Sequence, residues 1–183
     1  MASDEPRFVT ESVPAILQNE NVEIRRYESV LIASVKVQAA SWRDASSLAF
    51  RPLANYIFGA NGTNEKIGMT TPVTTHQVTT DQGPMWEVRF FMPERYSMAN
   101  LPDPQSPYIT LDEAQAKRFA VIRFSGAVRQ NEGVTNFANH ERQLRNALEK
   151  ANMPAQGVAH YAVYDGPWTP SFMRRNEVLI ALD

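Results

Sequence analysis

Near the end of the chain Arg174, Arg175, Asn176 and Glu177 run directly into the apolar stretch Val178 to Leu182. Along an extended strand side chains alternate, so Arg175 and Glu177 share one face and Arg174 and Asn176 the other. A carboxylate turned inward there needs a partner. Three chemistries are open to it: Glu177 anchors a cationic ligand, acts as a general base whose pKa desolvation raises, or closes a structural ion-pair network that pins the last strand. The histidines are the remaining candidates for metal or ligand contact. His76 alternates with its neighbours in a strand-like segment, His140 lies within a helical one, and His160 opens a further strand; each fits a hydrogen-bonded structural role as well. Other catalytic signatures are missing. The chain has no G-x-S-x-G elbow, H-E-x-x-H pair, Walker loop or G-x-G-x-x-G turn, and Asp112 and Glu113 form no acid–base spacing.

The elements that must position these groups follow from composition and pattern. With 183 residues, 43% hydrophobic and 21% charged, the chain has the balance of a globular domain that buries a sizeable core. It contains no cysteine, which excludes thiolate haem ligation, cysteine zinc sites, iron–sulfur clusters and thiol nucleophiles. A formal charge of -2 with no basic run argues against nucleic-acid partners. No segment is apolar enough for a membrane span, and Met1 to Pro14 lacks a secretory apolar run, so the expected location is cytoplasmic.

VEIRRYESVLIASVKV, residues 22–37, reads as one strand bent near Glu28-Ser29. Ser41 caps a helix whose apolar stripe is Trp42, Ala45, Ala49, Leu53, Tyr56 and Ile57, with a kink or a break expected at Pro52. Strands follow at Met69 to Thr80 and Trp86 to Met92. The four prolines from Pro93 to Pro107 mark a connector, with a short edge strand at Tyr108 to Leu111. The order then repeats: a strand at Phe119 to Ser125, a helix from Asn131 to Ala151 stopped by Met153-Pro154, and strands at Val158 to Tyr164 and Glu177 to Leu182. Strand, helix, strand, strand in both halves predicts an α+β domain with pseudo-twofold βαββ units. Residues 1–21 are read as an N-terminal extension and 22–183 as a single domain, its halves about 22–92 and 108–183.

Four segments in this order resemble the SOUL haem-binding protein family: VEIRRY at 22–27; FRPLANYIFG at 50–59, leading into MTTPVT at 69–74; FMP at 91–93 with FAVIRFSG at 119–126; and YDGPWTPSFMRRNEV at 164–178. The resemblance implies a curved, mostly antiparallel eight-stranded sheet or distorted barrel carrying two main helices, and a non-covalent haem or porphyrin-like ligand held as by a carrier, buffer or sensor, without enzymatic activity. The family is similar in architecture to bacterial effector-binding domains. An effector module for another hydrophobic or cationic small molecule, or a hydrolase acting through Glu177, are the alternatives.

Haem needs an apolar slot, groups near its propionates and an axial ligand. On this reading Phe50, Leu53, Ala54 and Ile57 on the first helix, with Met69 after it, supply the slot. Some family members carry a histidine where Arg26 stands here, and Arg26 can instead pair with a propionate. His76 is the candidate axial ligand, Arg175 and Glu177 complete the ligand-binding set, and the preferred version is binding by enclosure without a strong axial bond.

Overall fold

β-branched and alternating stretches become strands, and stretches with apolar residues three and four apart become helices. The computed structural model describes residues 4–128, 136–153, 155 and 157–182. In chain order these hold β1 (Phe8–Glu11), α1 (Ala15–Asn19), β2 (Val22–Tyr27), β3 (Val30–Val37), α2 (Trp42–Ile57), β4 (Val73–Thr80), β5 (Gly83–Phe91), β6 (Thr110–Ala114), β7 (Lys117–Ser125), α3 (Asn136–Lys150), β8 (Ala159–Val163), a 3-10 turn (Ser171–Met173) and β9 (Arg175–Leu182). The protein is α+β, and nine strands and three helices among the described residues exceed the expected eight and two because β1 and α1 arise before residue 22.

The chain divides into two compact units. The first comprises Ser29–Gln115 with the segment ending at Pro6, and its antiparallel strands lie in the order β6-β3-β5-β4. Ser41 starts α2 as expected, its hydroxyl accepting from the Asp44 N–H at 3.2 Å. Ala45, Ala49, Leu53, Tyr56 and Ile57 pack against Ala33, Val35, Val88 and Phe90, and burial of each large side chain contributes ~1.5–3 kcal/mol. α2 runs through Pro52 as one helix. The backbone bond that proline removes would end on the Leu48 carbonyl, whose residue is exposed, so water can satisfy it while the buried stripe holds the helix. The proline-rich connector closes onto the turn after α2: Tyr56 donates its hydroxyl to Pro102 O at 2.7 Å, and the Gly62 N–H bonds Asp103 O at 2.8 Å.

The second unit comprises Arg7–Glu28 and Ala116–Asp183, with strands in the order β1-β2-β7-β9-β8, again antiparallel. Phe137, Leu144, Ala147 and Leu148 of α3 are buried, with Phe137 edge-on to Phe124 and stacked on Tyr161. Each unit therefore contains βαββ with the third strand between the other two: β3-β5-β4 in one, β7-β9-β8 in the other.

The single bent strand expected over 22–37 is two strands. Glu28 and Ser29 are exposed, and on either side of them β2 pairs with β1 and β7 while β3 pairs with β5 and β6. Residues Arg7–Glu28 thus belong with the C-terminal segment. Met69 precedes β4 instead of opening it, since Pro72 interrupts the extended run. The expected helix start at Asn131 and its stop at Pro154 lie outside the described residues.

Candidate functional site

Along α2 the stripe that faces the sheet is sealed: Leu53 and Ile57 are buried. One flank of the same helix is not. Phe50, Ala54 and Phe58 recur every four residues, the Phe58 N–H continuing the helical path to Ala54 O at 3.0 Å, and Phe50 is 46% and Phe58 64% exposed. The flank overlooks β4 and β5, because Ser46 shares a 2.9 Å hydroxyl contact with Thr75 and Phe50 meets Phe90 edge-on at 5.5 Å. Met69, 43% exposed, is held at its far end between Ile67, bonded to Ile57 O at 2.8 Å, and Thr70, bonded to Phe91 O. Arg43, two turns before Phe50 on the same flank, and Lys66, beside Ile67, are exposed cations at its two ends. This is an apolar shelf with positive charge at either extremity.

On the opposite face of the same sheet lies an ionic cluster. Thr75 points at α2, so the next residue, His76, points away and meets Glu87, its register partner on β5, Nε2 to Oε2 at 3.2 Å. Arg89, on the Glu87 side of β5, donates Nε to the same carboxylate at 2.8 Å. Burial alone would raise the Glu87 pKa, but the His76 hydrogen bond and the Arg89 charge win and hold it at about 2. His76 is itself buried, and desolvation keeps its pKa below the ordinary histidine value despite Glu87.

In the second unit Glu177 is fully buried. Arg25 clasps it with two hydrogen bonds, Nη1 to Oε2 at 2.9 Å and Nη2 to Oε1 at 3.1 Å; Tyr164 donates to Oε2 at 2.7 Å and Arg175 Nε to Oε1 at 3.0 Å. Burial pushes the carboxyl pKa up, and the two guanidiniums and the phenol more than reverse it, so the pKa lies below its ordinary value. The raised pKa wanted of a general base is therefore absent, because the sequence view counted desolvation and not the donors. Both oxygens are engaged, which leaves no lone pair aimed at a cationic guest. Tyr164, desolvated and next to this charge, has its pKa raised. The arrangement is an ion-pair lock across β2 and β9.

The predicted residues thus fall into separate groups. Phe50, Ala54 and Met69 border the shelf; Leu53 and Ile57 support it from the core; His76 sits on the other sheet face, its Nε2 on Glu87. Arg26 is exposed on β2 with its guanidinium on Glu11, while Arg175 and Glu177 belong to the lock. Reasoning from sequence passed over Phe58, Glu87 and, above all, Arg25. The four-residue step from Phe50 through Ala54 marked Phe58. The Arg two places from a strand carboxylate, seen in Arg175/Glu177, recurs in Glu87/Arg89. Nothing local marked Arg25 as the partner of a residue 152 positions away.

The family model for SOUL heme-binding protein matches residues 4–181. Heme-binding protein 1 of Sus scrofa is 27% identical over 164 residues, covering 88% of this chain and 84% of that protein, and the Xenopus tropicalis protein is 27% identical over 161 residues, covering 85% and 80%. Among solved structures, the EcmrR C-terminal domain aligns with a TM-score of 0.64 at 12% identity over 88% of this chain and 96% of that one. A hydrolase from Listeria innocua aligns with a TM-score of 0.57 at 7% identity over 90% and 92%. These two likenesses are of fold. With two βαββ units, the ordered motifs from 22 to 178 and a family match along nearly its whole length, the chain belongs to the SOUL heme-binding protein family.

Proposed function

We propose that the chain binds haem or a related tetrapyrrole, non-covalently and without turnover, on the Phe50–Ala54–Phe58 flank of α2. The observation that carries this is the exposure of two phenylalanines on one face of a helix whose remaining apolar stripe is sealed. A flat macrocycle laid there would cover Phe50, Ala54, Phe58 and Met69, with Leu53 and Ile57 as rigid backing. Arg43 or Lys66 would meet the propionates by charge-assisted hydrogen bonds. When bound, haem would supply an iron able to take a further ligand, and the exposed Met69 thioether is the group on this flank that could serve as one. The names of the family and of the Heme-binding protein 1 relatives support the ligand class. Binding on an open shelf leaves the ligand exchangeable, which suits a carrier, buffer or sensor.

The test is a titration with hemin and with an iron-free porphyrin. Saturable Soret changes with both are expected, with at least about a tenfold loss of affinity for both in F50S/F58S. Failure of the wild-type chain to bind either below about 100 μM overturns the proposal.

A further inference from the structure

The turn between β8 and β9 leaves three large apolar side chains in solvent within six residues: Trp168 is 86% exposed, Phe172 75% and Met173 63%. Scattered exposed apolar residues are ordinary, but this cluster sits on a braced turn. The Thr169 N–H donates to Gly166 O at 3.1 Å and the Met173 N–H to Pro170 O at 2.9 Å. Arg174 donates Nε to Thr169 O at 2.7 Å and Nη2 to Pro167 O, and the Arg175 N–H donates to Asp165 Oδ2 at 2.7 Å. A Cβ on Gly166 would lie 2.7 Å from Trp168 Cε2, so only glycine lets the indole lie across the turn. The backbone ordering of the turn is already met in the free protein.

The base of the turn is cationic. Arg174 belongs to it, Arg175 stacks on Tyr164 with its guanidinium carbon 3.7 Å from the ring centre, and the exposed Arg123 of β7 is the register partner of Glu177, two residues along β9 from Arg175. Three carboxylates lie there: Glu177 pairs with Arg25 and Arg175, Glu23 with Arg25 Nε at 2.7 Å, and Asp165 accepts the Arg175 N–H. Arg123 and Arg174 are thus the cations at this end of the second unit that no carboxylate pairs among the described residues, although the whole chain carries -2.

We propose that this turn docks the protein on an anionic lipid bilayer, with Trp168, Phe172 and Met173 entering the boundary between headgroups and acyl chains and Arg123 and Arg174 facing the phosphates. Protruding aromatic residues above a basic collar match the requirements of a membrane interface, where rings sit at headgroup depth and arginines meet anionic lipid. Arg123 and Arg174 beside the apolar tip favour an anionic lipid surface over an uncharged protein groove.

The experiment sediments the full chain with vesicles of phosphatidylcholine alone or with about 30% phosphatidylglycerol, at about 0.05 M and about 0.5 M salt. The chain should sediment with the anionic vesicles, less so at high salt, and less with the neutral ones. W168S/F172S should lose at least about tenfold in partition coefficient on both vesicle types. Arg123→Gln should lose about fivefold on anionic vesicles alone, the equivalent of ~1 kcal/mol per basic residue. Should the double variant fail to fold, Met173→Ser carries the same test with a loss of about threefold or more. Wild-type chain that stays in the supernatant with both compositions overturns the proposal. So does a wild-type dimer in analytical ultracentrifugation that W168S/F172S abolishes, since that assigns the turn to self-association.

Discussion

Two buried carboxylates, Glu87 and Glu177, sit on the strand that is central in each βαββ order, and each is held ionised by an arginine two places along its own strand and by a partner from another strand. Both are buried and paired, which makes acid the condition to which the fold is sensitive. Glu177→Gln leaves Arg25 buried against a neutral amide, and a loss of ~3–5 kcal/mol in urea unfolding at pH 7 is expected; a loss below ~1 kcal/mol would show the lock to be dispensable. Glu87 has a folded pKa of about 2 against an ordinary 4.5, so the stability it supplies is complete above pH 4.5 and drains away as pH falls toward 2. His76 acts higher in the range. Its folded pKa lies below 6.5, so from about pH 6.5 downward the unfolded chain takes up a proton that the folded one refuses, and stability falls. The urea midpoint should therefore decline below pH 6.5, with His76→Gln flattening the upper part of the decline and Glu87→Gln the part below 4.5. A midpoint unchanged between pH 7 and pH 5 would contradict the His76 assignment.

At the scale of elements, α2 carries two adjacent stripes, one sealed and one open. Leu53 faces the core and Phe50 the shelf, three residues apart. Leu53→Ala should cost ~2–5 kcal/mol of stability through the cavity it leaves. Phe50→Ser, at a half-exposed site, should cost less than about 1 kcal/mol while weakening haem binding several-fold. Paired melts and Soret titrations separate the two; if Phe50→Ser destabilises as much as Leu53→Ala with affinity intact, the flank is packing and not a site. The apolar stripe of α2 was legible because burial imposes a 3.6-residue period on the sequence. Its division into sealed and open parts was not, since that depends on where β4, β5 and the segment from Ile67 to Thr70 come to rest.

For the whole molecule, a guest held only by the folded state must stabilise it. At free haem about 100 times Kd the gain is ~2.7 kcal/mol, which for a chain of this size raises Tm by ~5–10 °C. Calorimetry with and without hemin should show that rise in the wild type and its loss in F50S/F58S. A wild-type Tm that ignores saturating hemin would be incompatible with a native-state site. The two-unit organisation was readable in part. The repeat of strand, helix, strand, strand was visible, but the boundary at Glu28-Ser29 was not, because a chain that leaves one unit for another there remains extended and keeps its β-branched composition on both sides.

Sequence alone determined the α+β class, the helix that carries the shelf, most of the strands and the family, because periodicity, capping and ordered motifs are local and need no partner to be read. It also identified Glu177 as a carboxylate that must be answered. Only the tertiary structure decided the answer. Arg25 reaches Glu177 across β7, His76 turns to Glu87 and away from α2, and Phe58 stays in solvent, since each outcome depends on strand register and on neighbours far along the chain.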